Sequence, residues 1–170
     1  MTVAGLAKAN ATPISLVPGP YTGVKDAAND VQIVNVPAGS SLARFAVYSS
    51  NPAADFDLYV VSPAGLLYAG ATPAANESVS IADPVAGDWK VTTNLFASPG
   101  NAAIAASVEA MVLAGDAGNL TISPNPLDLE NGASGELTAS WTGLEPGNWV
   151  GLLKYGTGPS TQLNVTVTAP

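Results

Sequence analysis

At 170 residues the chain is long enough for one large β-sandwich or two small domains. Hydrophobic residues make up 47% and charged residues only 11%, with 17 Gly and 14 Pro scattered throughout, which excludes a disordered chain and a helix bundle. Five Lys and Arg against 13 Asp and Glu leave a net charge of −8, so neither nucleic acid nor an anionic membrane is an expected partner.

The absence of Cys removes any disulfide framework and any thiolate zinc site. No apolar run approaches the roughly 18 residues of a membrane span, and no basic start followed by an apolar stretch marks a signal peptide. Low Lys with abundant Ala, Gly, Ser and Thr points to a secreted bacterial protein, of which this chain would be an excised piece.

In chain order, residues 1–30 read as a linker and extended edge segment. Met1 to Thr12 is Ala-rich text, and Pro13, Pro18 and Pro20 remove ladder donors from the stretch up to Gly23. From Val31 a period of two begins. Strands are predicted over Val31–Val36, Leu42–Tyr48, Asp55–Val61, Leu66–Ala69, around Val79 and Ile81, over Asp88–Leu95, and over Ile104–Val112, with turn signals such as Ser62-Pro63-Ala64-Gly65 between them. The stretch Asp55-Phe56-Asp57-Leu58-Tyr59-Val60-Val61 reads as the central strand, buried on both faces. Seven short strands without a helical period predict an antiparallel sandwich or jelly roll over residues 31–115.

Leu113–Gly118 is the predicted boundary, and residues 116–170 carry five further strand signals, at Leu120–Ser123, Leu127–Leu129, Leu137–Trp141, Trp149–Tyr155 and Gln162–Thr168. That stretch is short for a sandwich of roughly 100 residues. Either it is a reduced one or residues before Val31 supply it with strands.

Two resemblances rest on these segments. Leu42-Ala43-Arg44-Phe45, then Asp55-Phe56-Asp57-Leu58-Tyr59-Val60, then Pro84-Val85-Ala86-Gly87-Asp88-Trp89-Lys90-Val91 resemble the pre-peptidase C-terminal module that trails secreted bacterial peptidases. Trp141-Thr142-Gly143-Leu144 and the strand at Val150 resemble the fibronectin-III-like domain that closes many subtilisin-like serine proteases. The resemblances imply an all-β fold, a β-sandwich or jelly-roll module followed by a small immunoglobulin or fibronectin-III-like sandwich. They also imply a non-catalytic accessory role beside a catalytic peptidase domain in the same parent chain. A stand-alone adhesion module binding a protein or polysaccharide is the alternative.

Candidate site residues are few. Asp55 and Asp57 stand two apart, so on a strand they share a face and, with Asn51, could hold Ca²⁺, the one cofactor considered. The plainer reading is a turn cap or a solvated strand start, since Ca²⁺ takes six to eight oxygens. Trp89, Trp141, Trp149 and Tyr155 read as core anchors before they read as a binding platform. Asn10, Asn76, Asn119 and Asn164 head N-x-S/T triplets that a Ser- and Thr-rich chain produces by chance. With no His, neither a Ser-His-Asp triad nor a Cys-His pair can form within the chain, and no motif surrounds Lys25, Lys90 or Lys154 as partner of a nucleophilic Ser.

Overall fold

The computed structural model describes residues 1–156 and 158–169. Among these, thirteen strands follow one another: β1 (Thr2–Lys8), β2 (Asn10–Leu16), β3 (Asn29–Val36), β4 (Ser40–Tyr48), β5 (Asp55–Val61), β6 (Leu67–Gly70), β7 (Glu77–Ala82), β8 (Gly87–Ala97), β9 (Ile104–Ala114), β10 (Leu120–Ser123), β11 (Thr138–Trp141), β12 (Gly147–Lys154) and β13 (Ser160–Val167). The fold is all-β, and its sheets belong to two compact units. The larger is Asn10–Val112; the smaller joins Met1–Ala9 to Leu113–Pro170.

The larger unit is a sandwich of two four-stranded sheets, ordered β2-β9-β4-β7 and β3-β8-β5-β6. Alternation decides what lies between them. Glu77, Val79 and Ile81 of β7 point inward while Ser78, Ser80 and Ala82 face out. Phe45 and Val47 of β4 meet Phe56, Leu58 and Val60 of β5 and Trp89, Val91 and Leu95 of β8 in one core. Phe45 and Tyr68 pack beside the Trp89 ring, at centroid distances of 6.0 and 5.8 Å. All seven strands expected here form. The segment Asp55–Val61 is central, between β8 and β6, but not apolar on both faces: Asp55, Asp57 and Tyr59 occupy the side away from Leu58.

The smaller unit has a three-stranded sheet, β1-β12-β13, and a β10-β11 hairpin. Its core is slight, with Leu6, Leu120, Ile122 and Leu153 buried and Trp149, Leu163 and Val165 packed around them. Residues 1–16, expected within the linker, are therefore strands. β1 pairs antiparallel with β12 across a register shift between Val3 and Leu6, and β2 pairs with β9 as a sheet edge that tolerates Pro13. Asn119 fixes β1 by presenting its amide as a strand would: Oδ1 accepts the Leu6 N–H at 2.7 Å and Nδ2 donates to the Leu6 carbonyl at 3.0 Å. Of the five strands expected after residue 116, Leu127–Leu129 is not one. Pro124 and Pro126 precede it and withhold the donors a ladder needs.

Both units enter a strand by the same corner. Gly87-Asp88-Trp89 opens β8 and Gly147-Asn148-Trp149 opens β12, with the glycines at φ +128° and +137°, a conformation that side chains rarely adopt. In each the indole N–H donates at 3.0 Å to the carbonyl four residues earlier, Val85 or Glu145. The tryptophan behind the corner is thereby anchored with its one polar atom satisfied. Trp89 is buried, Trp149 is half-buried under Lys8, and Trp141 and Tyr155, expected as core anchors, are exposed.

Candidate functional site

The outer face of the β3-β8-β5-β6 sheet carries a cluster of buried polar side chains, Asn29, Asp57, Thr92 and Asn94. Antiparallel register sets Asn29 of β3 and Asp57 of β5 on either side of Asn94 of β8, so their side chains share that face. A strap, residues 17–28, crosses it. Asn94 Nδ2 donates to the Gly19 and Ala28 carbonyls at 3.0 Å, Asn29 Nδ2 to the Pro20 carbonyl at 3.0 Å, and Lys90 Nζ to the Gly23 carbonyl at 2.5 Å. Tyr21 lays its ring 4.1 Å from that of Tyr59. Asp26 ties the strap to itself by accepting from the Thr22 hydroxyl, from the Ala28 and Asn29 amides, and from Asn29 Nδ2; these bonds, the Thr22 one foremost, bring its carboxyl down to about 2.

Beyond the strap the face opens into a cleft of about 320 Å³ lined by Asp55, Asp57, Tyr59, Thr72, Pro73 and Phe96 with Ala71. The Tyr59 hydroxyl donates to Asp57 Oδ2 at 3.1 Å. Glu77 stands close enough to act on both aspartates, and its Oε1 accepts from the amide and hydroxyl of Thr72. Burial, and then the Glu77 carboxylate, raises the Asp55 carboxyl above its ordinary 3.8. Burial raises Asp57 as well; the Tyr59 hydrogen bond works against the shift, and the charges of Asp55 and Glu77 add to it. Tyr59 is raised by burial and by the Asp57 charge. No Lys or Arg lines the cleft, and Phe96 is 60% exposed at its rim. Chemically the cleft offers carboxylate acceptors beside two aromatic surfaces.

The structure thus brings Asp55 and Asp57 together as expected, but it uses Asn51 elsewhere. Asn51 Oδ1 accepts the Ala53 amide at 3.1 Å in the turn before β5, and Asn51 is not among the residues lining the cleft. Among the described residues no group of three or more His, Cys, Asp or Glu is placed to hold a metal ion. Sequence reasoning missed Glu77, Tyr59, Thr72 and Phe96. A signal existed for Glu77, which shares the parity of Val79 and Ile81 and so places a carboxylate on an inward face.

No family model matches the chain, and no curated protein matches it. Among solved structures, the Bacillus licheniformis lipase BlEst2 in its propeptide form aligns over 94% of this chain and 40% of its own, with 9% sequence identity and a TM-score of 0.45. The chain therefore spans less than half the length of that protein, and the likeness is too slight to identify a shared fold. No helix among the described residues is long and apolar enough to cross a membrane.

Proposed function

We propose that this chain is a non-catalytic accessory region of a secreted, subtilisin-like serine peptidase, which stabilises or positions the catalytic domain or aids its export. One observation carries the reading. The two segments that resemble the pre-peptidase C-terminal module, Asp55–Val60 and Pro84–Val91, lie on β5 and on the corner and start of β8, which are neighbours in one sheet. Their shared apolar positions, Leu58, Val60, Trp89 and Val91, form the centre of its core. The motif text is thus framework text, as an accessory sandwich requires. The lack of His in the chain agrees with this, because Ser-His-Asp chemistry then belongs to another domain.

The test is the coding sequence upstream, followed by expression with and without these residues. A Gly-Thr-Ser-x-Ala nucleophile segment there, and a peptidase whose secreted yield or half-life drops when residues 1–170 are removed, is the expected result. A run of further sandwich repeats or a wall anchor would contradict it.

The open cleft favours a second reading, an extracellular module that binds protein or polysaccharide. Carboxylates beside the exposed ring of Phe96 suit a ligand with a cationic or sugar face. On that reading Phe96→Ala abolishes ligand retention without altering the thermal midpoint.

A further inference from the structure

A sheet edge is a row of unpaired N–H and C=O groups, and proteins blunt it with short strands, proline, bulges, inward charges or a cover. Edge by edge, these devices are present here with one exception. β2 contains Pro13, β3 turns the buried carboxylate of Asp30 inward, and β7 does the same with Glu77. β6, β10 and β11 are four residues each. β1 is broken by its register shift, ends on Lys8, and has the Leu6 N–H and C=O occupied by Asn119.

β13 has none of them. It is eight residues long, Ser160–Val167, and keeps unbroken register with β12 through eight consecutive pairs. It contains neither proline nor charge, and the sequence from Tyr155 to Pro170 carries no charged residue at all. No strand among the described residues pairs with its outer flank.

We propose that β13 is a pairing edge through which two copies of this chain associate, antiparallel and by the same surface on each. Charge selects the second copy as occupant. In a molecule of net charge −8, self-association at most surfaces sets carboxylates against carboxylates, whereas at this edge no like charges meet. The side-chain pattern is also self-complementary. Leu163 and Val165 pack toward the core of the unit while Gln162 and Asn164 alternate with them. The two-fold antiparallel register centred on Asn164 preserves the faces and opposes Leu163 to Val165, Asn164 to its own copy and Gln162 to Thr166, apolar to apolar and polar to polar. The assembly closes, because the six-stranded sheet so formed ends at both sides on β1, whose edge is blocked. A two-fold dimer is the product, not a fibre.

The experiment is sedimentation velocity of the whole chain over a concentration series. Wild type should pass from 16.9 kDa to twice that mass. Gln162→Lys with Asn164→Lys should weaken the dimer by about tenfold or more, since four like charges then gather on one face of the pairing. Asn10→Lys with Thr12→Lys, on the guarded β2 edge, should leave it unchanged. Should the β13 variant fail to fold, amide exchange on wild type decides the matter, because alternate amides of β13 should gain protection only as concentration rises. A wild type that stays monomeric, a dimer indifferent to the β13 lysines or equally sensitive to those on β2, growth into open fibres, or β13 protection independent of concentration would each overturn the proposal.

Discussion

The larger unit closes its core from one continuous stretch of chain, whereas the smaller borrows its first strand from the other end of the sequence. Both enter a strand through Gly-Asp/Asn-Trp with the indole tied back four residues, yet Trp89 sits in a core built by two four-stranded sheets and Trp149 sits at the margin of four buried side chains. The difference teaches that a local device fixes a corner and not a domain. A short chain buries too little surface to offset its own ordering entropy, and residues 113–170 reach a closed arrangement only with β1 on the free side of β12.

The harshest way to break the comparison is Leu58→Asp, which places an unpaired charge at a fully buried site on β5. A loss of at least about 4 kcal/mol is expected, enough to unfold the larger unit, and amide protection should vanish across β3 to β9. The next test probes the shared corner. Gly87→Ala and Gly147→Ala both force a side chain into a backbone region that costs about 1–3 kcal/mol. Gly87→Ala should cost more, because its new methyl would stand 2.9 Å from the ring of Pro63, while at Gly147 the neighbour is the flexible Lys8 stem at 3.3 Å. Denaturant midpoints in the reverse order would contradict that account.

Smaller effects come from the cleft. The folded state raises the Asp57 carboxyl above 3.8 and so binds its proton more tightly than the unfolded chain does; the stability this confers is full below 3.8 and is lost as pH rises through the raised value. Asp57→Asn keeps an acceptor for the Tyr59 hydroxyl and removes the charge, so the thermal midpoint should rise by a few degrees at neutral pH and show no gain below pH 3.8. Asp26 has the opposite sign: its contribution is present above 3.8 and fades as pH falls towards about 2. Smallest of all is calcium. With Asn51 Oδ1 engaged in its own turn, added Ca²⁺ should leave the midpoint unmoved, and a rise abolished by Asp57→Asn would restore the calcium reading.

The sandwich of the larger unit was legible because period-two alternation and turn residues mark every strand from Val31 to Val112. β1 was not. Thr2–Lys8 carries small residues and a bulge, and its partner lies far along the chain, so its identity as a strand comes from Asn119 and β12 and not from its own composition. In the sequence Asn119 is only the head of an N-x-T triplet, and its hydrogen bonds to Leu6 leave no periodic trace. The cleft was half legible. Asp55 and Asp57 share a face by spacing alone, but Thr72 after β6, Glu77 on β7 and Phe96 on β8 reach them only through the tertiary fold, which a single sequence does not encode locally.

The first nine residues belong to the smaller unit, and it depends on them to close. Amide exchange on the chain lacking residues 1–9 measures this. Protection should be lost from β12 and β13 and retained through β3, β5 and β8; a deletion variant that keeps full protection over residues 147–167 would show that the smaller unit folds without β1 and that the division drawn here is wrong.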